Sequence, residues 1–128
     1  MGPKDLTSIN ATVPQKVLVN DQGDSSVPQI AAGPTPGDFR LAWQDNRTGK
    51  FNTWYAQSTD GGASWGSQVR LSNLGSGAPY KHPNGYYFTY GDYFGLTVSS
   101  TGLAHVIWGE ADGSSLYCCS DTWYTNES

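Results

Sequence analysis

The residue types that could do chemistry in this chain are carboxylates, an arginine and a group of tyrosines, found at three places. Asp45-Asn46-Arg47 follows a strand-like run, an insertion over 76–92 is rich in aromatic residues, and Glu110 and Asp112 lie in a later loop. Aromatic rings stack on the C–H faces of sugars, while acids and amides bind hydroxyl groups. If the fold brings them together, these residues suit a glycan site, with candidate members Asp45, Asn46, Arg47, Tyr86, Tyr87, Tyr90, Asp92, Glu110 and Asp112.

Each of these groups also has a purely structural interpretation. Asp45 and Arg47 could stabilise their own loop through turn hydrogen bonds and an ion pair at the rim. The tyrosines could pack the long insertion onto the rest of the domain. A catalytic interpretation is narrower, because it needs Tyr87 or Tyr90 as a nucleophile and Glu110 as the group that assists it. The sequence leaves these alternatives open.

Metal and cofactor chemistry find little support in the sequence. His82 precedes a proline in the insertion, and His105 lies in a strand-like run, where we expect a packed, hydrogen-bonded side chain. Asp60 lacks the further acidic ligands that a calcium loop needs. Cys118 and Cys119 are adjacent, so a disulfide between them would close a strained ring, and two reduced or separately paired thiols are the alternative. We therefore expect no cofactor and no metal ion.

Composition indicates a turn-rich, all-β protein. The 128 residues suffice for one domain of modest size. Glycine and proline separate short runs of Trp, Tyr, Val and Thr, which are strand formers. The net charge is −4 and the basic residues are scattered, so neither nucleic acid nor an anionic membrane is an expected partner. No apolar run is long enough to span a membrane, and the low lysine content favours a secreted, periplasmic or cell-surface protein over a cytosolic one.

A tight turn of the form Ser-x-Asp-x-Gly-x-Ser-Trp lies between two strand-like runs, over Ser58-Thr59-Asp60-Gly61-Gly62-Ala63-Ser64-Trp65. The Asp60 carboxylate can accept hydrogen bonds from nearby backbone N–H groups, and Ser64 can bond locally. Gly61 and Gly62 can adopt positive φ without a steric penalty. We therefore predict a hairpin turn that satisfies its own polar groups and leaves Trp65 free to pack on the sheet.

This turn resembles the Asp-box, or bacterial neuraminidase repeat, of sialidases and related β-propellers. The signature positions of that motif correspond to Ser58, Asp60, Gly62, Ser64 and Trp65, and the flanking segments 41–47 and 69–72 extend the match. The resemblance implies four-stranded blades in which the box joins the third and fourth strands, opposite the ligand face. It also implies that the ligand face carries Asp21, Asp24, Asp45, Asn46, Arg47, the insertion, Glu110 and Asp112.

The rest of the chain divides into segments that fit two such blades. Trp43-Gln44 is repeated by Trp108-Gly109, and Trp54-Tyr55 by Trp123-Tyr124, which is the repetition expected of propeller blades. We predict a leader over 1–14 and a two-blade unit over 15–128. Its parts are an orphan outer strand (15–20), a complete blade with the box (27–73), the aromatic insertion (76–92) and three strands of a second blade (93–128). Strands are expected over 15–20, 27–32, 39–44, 53–58, 68–71, 94–99, 104–109 and 122–125.

Two isolated blades would expose apolar sheet faces and an unpaired edge, which soluble proteins avoid. The orphan strand at one end and the missing fourth strand at the other are complementary. We therefore expect either a homo-oligomeric ring, with three copies giving six blades as in small trimeric two-blade lectins, or a piece of a longer propeller.

The resemblance favours binding over catalysis. Sialidases hold the substrate carboxylate with three arginines and use a tyrosine nucleophile assisted by a glutamate. The arginines of this chain are Arg40, Arg47 and Arg70; Arg40 and Arg70 lie in predicted strands, and the Phe/Tyr-Arg-Ile-Pro motif is absent. We expect non-catalytic carbohydrate binding. The alternatives are a fragment of an exported sialidase-like glycoside hydrolase and a structural propeller that binds protein partners.

Overall fold

The computed structural model describes residues 17–49, 51–72, 94–111 and 120–128, and these ranges are all-β. The strands are β1 (Ser25–Ala32), β2 (Phe39–Asp45), β3 (Asn52–Ser58), β4 (Val69–Arg70), β5 (Gly95–Val98), β6 (Ala104–Ala111) and β7 (Ser120–Asn126). Within the described ranges the chain forms no helix, and hence none that could cross a membrane. The predicted all-β class is confirmed.

The strands form two open antiparallel sheets in which each strand pairs with its neighbour in sequence. The first sheet has the order β1-β2-β3-β4 and the second has the order β5-β6-β7. β2 and β3 pair without interruption, from Phe39 opposite Ser58 to Asp45 opposite Asn52. The β1 ladder is irregular between Ser26 and Gln29, where Pro28 has no N–H to donate, as an edge strand allows.

The core lies between the two sheets. Directly opposed residues share a face of a sheet, so Ala42 and Tyr55 lie on the same face of the first sheet. That face packs against Ala104, Val106 and Trp108 of β6, all of which are buried. β1 and β5 also lie next to each other, so the first strands of the two sheets are neighbours.

Equivalent residues occupy equivalent positions in the two sheets, as the predicted repeat requires. Trp43 is directly opposite Trp54 in the first sheet, and Trp108 is directly opposite Trp123 in the second. The turn before each second strand contains a glycine with positive φ, Gly37 (φ 83°) or Gly102 (φ 87°). The two sheets are therefore repeats of one local design.

The structure differs from the predicted strands at the outer positions. Residues 17–20 are not in a strand, and β4 contains only two residues. A strand needs the edge of another strand, and in the described chain residues 17–20 are held by side chains instead: Asn20 contacts Asp45, and Gln68 Nε2 donates to the Val19 carbonyl at 2.5 Å. The predicted leader and the insertion over 76–92 lie outside the described residues.

Candidate functional site

The predicted glycan site begins where β2 ends, and the structure places a buried ion pair there. Asp45 is completely buried and forms an ion pair with Arg47, whose Nη2 lies 2.6 Å from Asp45 Oδ2. Arg47 Nε donates to both oxygens of the same carboxylate, at 2.9 and 3.0 Å. Trp43 Nε1 (2.8 Å) and Asn20 Nδ2 (3.0 Å) also donate to Asp45. A buried charge is tolerated only when it is paired in this way.

Arg47 is also fixed by an aromatic ring. Its guanidinium lies 3.9 Å from the centroid of the Trp54 ring, a cation–π contact across the face of β3. Its Nη2 donates to Asn20 Oδ1 at 2.8 Å. The arginine side chain is only 16% exposed, so most of its binding capacity is used within the chain.

The loop that precedes β1 lies beside the β2–β3 loop at this end of the first sheet. Asn46 Oδ1 accepts a hydrogen bond from the Asp24 backbone N–H at 2.7 Å, and Asn46 N donates to the Asp24 carbonyl at 3.3 Å. We call Asn20, Asp24, Asp45, Asn46 and Arg47 the end cluster. Asp24 is exposed and Asn46 partly exposed, whereas Asp45 faces no solvent. Loop stabilisation therefore accounts for the contacts of Asp45 and Arg47, and the solvent-facing polar groups belong to Asp24 and Asn46.

Of the other predicted site residues, the structure describes the backbone of Glu110, in β6 opposite Asp121 of β7. The carbonyl of the preceding residue, Gly109, accepts a hydrogen bond from Gln44 Nε2 at 3.3 Å, so this end of β6 lies next to the end of β2. The predicted members that lie outside the described residues are Tyr86, Tyr87, Tyr90, Asp92 and Asp112. His82, Cys118 and Cys119 lie outside them as well.

The Asp-box-like turn connects β3 to β4 and satisfies its own polar groups. Asp60 Oδ1 accepts hydrogen bonds from the Ser64 N–H at 2.9 Å and from the Ser58 hydroxyl at 2.8 Å, and Asp60 Oδ2 accepts from the Ser64 hydroxyl. The bonds from Ser64, together with that from Ser58, lower the pKa of Asp60 to about 2. Gly61 and Gly62 have φ of 75° and 88°, and Gly62 N donates to Ser58 Oγ at 2.9 Å. The turn geometry therefore follows from its residue types.

A buried charged network between the two sheets was not anticipated from the sequence. The Arg40 guanidinium donates to both carboxylate oxygens of Asp38, at 2.7 and 3.0 Å. Its Nη1 donates to Tyr55 OH at 2.8 Å and to Glu127 Oε2 at 2.7 Å, and its Nη2 donates to the Gly102 carbonyl at 3.1 Å. Glu127 and Gly102 belong to the second sheet region, so this network fastens one sheet to the other.

The network shifts the pKa values of its members in opposite directions. The hydrogen bonds from Arg40 hold the pKa of Asp38 below its usual range, and the bond to Asp38 raises the pKa of Arg40. Burial raises the pKa of the Tyr55 hydroxyl to about 12. Burial alone would also raise the pKa of Glu127, but hydrogen bonds from the Ala104 N–H, Tyr55 and Arg40 together lower it.

One sequence signal could have pointed to this network. Arg40 lies between apolar residues, before Leu41-Ala42-Trp43, and a charge at an inward-facing position must find a partner. Its partner Glu127 is 87 residues away, however, and no local pattern joins the two.

The second sheet has a histidine that is hydrogen-bonded, as predicted. His105 Nδ1 lies 2.8 Å from Tyr124 OH, and the two rings stack with centroids 6.1 Å apart. Beside them lies an open groove of about 350 Å³, lined by Gly95, Leu96, Thr97, Val106 and Ile107. Another pocket, of about 430 Å³, lies next to the Asp-box-like turn and is lined by Tyr55, Gln57, Trp65 and Val69 among others.

Comparison with known proteins adds no relative to this picture: no family model, curated protein or solved structure matches the chain. Among the residues that the structure describes, no group of three or more His, Cys, Asp or Glu side chains could hold a metal ion. The functional argument therefore depends on the chain's own geometry.

Proposed function

We propose that this chain is a sialidase-like Asp-box propeller unit that binds carbohydrate without catalysing its hydrolysis. The binding surface is formed by the loops at the end of the first sheet that carries the end cluster. The observation that carries the proposal is the arrangement of the first sheet. The self-satisfied turn follows the end of β3, while Asp24, Asn46 and Arg47 lie at the opposite end, where β1 and β3 begin. This is the polarity that the resemblance implies between box and ligand face.

The contacts of the arginines favour binding over hydrolysis. Sialidase chemistry would need arginines free to hold a substrate carboxylate. Arg40 is buried against Asp38 and Glu127, and Arg47 is paired with Asp45. Arg70 lies opposite Trp54 in the β3–β4 pair, and its Nε donates to the Ser72 carbonyl at 2.9 Å. The contacts of Arg40 and Arg47 weaken the alternative that this part of a sialidase-like hydrolase supplies the catalytic arginines.

The groups that face solvent beside the end cluster are the carboxylate of Asp24 and the amide of Asn46, whose Nδ2 donates to Asp24 Oδ2 at 3.5 Å; the predicted aromatic residues of the insertion are the other candidates for ligand contact. Acids and amides hydrogen-bond sugar hydroxyls, and Asp45 and Arg47 hold the loop that presents Asn46. An open polar surface of this kind buries little of its ligand, so we expect weak binding to each single sugar and stronger binding to clustered glycans.

The test is a glycan array followed by titration calorimetry with the best-bound oligosaccharide. We expect binding without turnover, and we expect Asp24→Ala with Asn46→Ala to weaken it without lowering the melting temperature greatly. Tyr87→Ala tests the predicted contribution of the insertion. Thr59→Ala, at the opposite end of the sheet, is the matched control and should bind normally. Absence of binding to any array glycan would refute the proposal, and hydrolysis of a sialoside reporter would favour the glycosidase alternative.

An exported location and a homo-oligomeric state are parts of the same proposal. The remaining alternative is a structural propeller that binds protein partners. Absence of glycan binding, together with capture of a defined protein, would support it.

A further inference from the structure

The solvent-facing part of the end cluster is a carboxylate beside an amide. Asp24 is exposed and Asn46 is partly exposed, and Asn46 Nδ2 donates to Asp24 Oδ2 at 3.5 Å. The orientation of the amide is fixed, because Asn46 Oδ1 accepts from the Asp24 backbone N–H at 2.7 Å. Within the described chain, Asp24 Oδ1 and the second N–H of the Asn46 amide have no partner. The pair therefore offers a ligand one acceptor and one donor, side by side.

A glycine allows the two loops of this pair to approach each other closely. Gly23 has a φ of 61°, and a Cβ placed on it would overlap Asn46 Oδ1 and lie 2.9 Å from the Arg47 backbone nitrogen. Only a residue without a side chain fits there in this backbone conformation. The same loop carries Asp21, which is exposed as Asp24 is. The packing of the loops thus holds the pair in place and brings a second carboxylate to the same surface.

The cation of the end cluster is already compensated by a carboxylate. Asp45 accepts hydrogen bonds from Arg47 Nε and Nη2, so this buried pair carries no net charge. Arg47 Nη2 also donates to Asn20, and the guanidinium stacks on Trp54. Its Nη1 makes no hydrogen bond within the described chain, but the Asp45 carboxylate lies against the same guanidinium. An anionic ligand group would therefore gain little net attraction from Arg47.

The carboxylates that face solvent are not compensated in this way. No ion pair of the described chain involves Asp21 or Asp24. Their described side-chain partners are uncharged amides, Gln22 Nε2 for Asp21 and Asn46 Nδ2 for Asp24. The described surface of the end cluster is therefore negative, and it disfavours a carboxylate, sulfate or phosphate on a ligand. A hydroxyl group carries no charge and can both donate and accept.

We propose that the Asp24–Asn46 pair binds two neighbouring hydroxyl groups of an uncharged sugar, and that the end cluster rejects acidic sugars such as sialic and uronic acids. One hydroxyl donates to the Asp24 carboxylate, and its neighbour accepts from the Asn46 amide. The preference is opposite to that of a sialidase, although the turn resembles that family. The inference rests on the glycan binding proposed above and adds the class of sugar that is bound.

A glycan array of matched pairs tests this inference. Each pair is an oligosaccharide that ends in a hexose and its counterpart that ends in the corresponding uronic acid, so that a CH2OH group is replaced by a carboxylate of similar size. The hexose members should bind more tightly, by about fivefold or more, which is the size of a like-charge repulsion at about 4 Å in water. The difference should narrow at about 1 M salt, because salt screens exposed charges.

Two variants that each remove one negative charge locate the source of this preference. Asp24→Asn keeps an oxygen acceptor, so it should still bind the hexose members while the ratio of hexose to uronic acid binding falls towards one. Glu127→Gln is the matched control, because Glu127 bonds to Arg40 near the start of β2, whereas the end cluster lies where β2 ends. It should leave the ratio unchanged. Thermal melting verifies that both variants are folded.

The outcomes separate this inference from the proposed function. Tighter binding of the uronic acid members would overturn the inference while carbohydrate binding stood, and would indicate a cation outside the described residues, such as Lys50. A ratio that Asp24→Asn does not change, or that Glu127→Gln lowers equally, would also overturn it. Absence of binding to both members of every pair would refute carbohydrate binding itself, and the inference with it.

Discussion

Replacement of Arg40 by methionine tests whether the buried network holds the two sheets together. Methionine keeps most of the apolar stem and removes the cation, which donates five hydrogen bonds to four residues. The variant leaves the Asp38 carboxylate buried without the Arg40 cation, while the Gln57 amide still donates to it at 3.1 Å. It also removes one partner of Glu127, which would keep its bonds to Tyr55 and the Ala104 N–H.

The expected cost is dominated by Asp38. Removing one member of a buried ion pair destabilises a protein by about 3–5 kcal/mol, because the other charge remains uncompensated. The Glu127 side chain is 36% exposed, so its share is screened and we expect Glu127→Gln to cost at most about 1 kcal/mol. Domains of this kind are stable by about 5–15 kcal/mol, so Arg40→Met should remove a large part of the total.

Urea unfolding at neutral pH, followed by tryptophan fluorescence, measures these differences. The double variant Asp38→Leu with Arg40→Met should recover most of the loss, since an apolar replacement leaves no buried unpaired charge.

The same network predicts a pH dependence. Asp38 has a lowered pKa in the folded chain, so the stability that its carboxylate contributes is present above the usual aspartate pKa and lost as pH falls through the lower folded value. Arg40→Met should abolish that acid-side loss. A cost below about 1 kcal/mol for Arg40→Met, or no recovery in the double variant, would refute the reasoning.

Four further predictions concern local devices of the first sheet. Asp60→Asn should speed hydrogen exchange of the Ser64 amide, which NMR measures. In the wild type, the stability contributed by the Asp60 carboxylate is lost as pH falls from about 4 to about 2, because its folded pKa is about 2. Asp60→Asn should abolish that acid-dependent loss in an acid titration. Gly62→Ala should cost about 1–2 kcal/mol in urea because φ is 88°, and Gly62→Asn should cost less; equal costs would contradict the backbone argument. Gly33→Ala should destabilise the fold by about 1–3 kcal/mol, since the added Cβ would overlap the Asp38 carboxylate. Gly49→Ala is the comparison for backbone strain without overlap, because φ is 91° there and no atom lies within 4 Å of the added Cβ. Arg47→Lys should lower the melting temperature although it keeps the charge, because lysine cannot give Asp45 a forked contact; an unchanged melting temperature would show that the charge alone suffices.

Local structure followed from the sequence because its interactions join residues close together in the chain. The turn at Asp60 is closed by side chains within four positions of it, and Gly61 and Gly62 occupy its two positions of positive φ. The first three strands of the first sheet were predicted within two residues of their observed bounds, since alternating strand formers and breakers are local signals, whereas β4 is shorter than predicted. The repetition of Trp43 by Trp108 and of Trp54 by Trp123 was visible in the sequence, whereas their direct pairing across strands is a finding of the structure.

The tertiary structure decided which polar residues are available for function. The sequence predicts that Asp45 is a loop carboxylate. In the structure it is buried, because the side chains of Asn20, 25 residues away, Trp43 and Arg47 contact it. Arg40 became a bridge between sheets only because packing brought Glu127, 87 residues away, within 2.7 Å. A charged residue in a buried strand shows, from the sequence alone, only that it needs a partner. Which residue becomes that partner depends on which surfaces pack together in three dimensions.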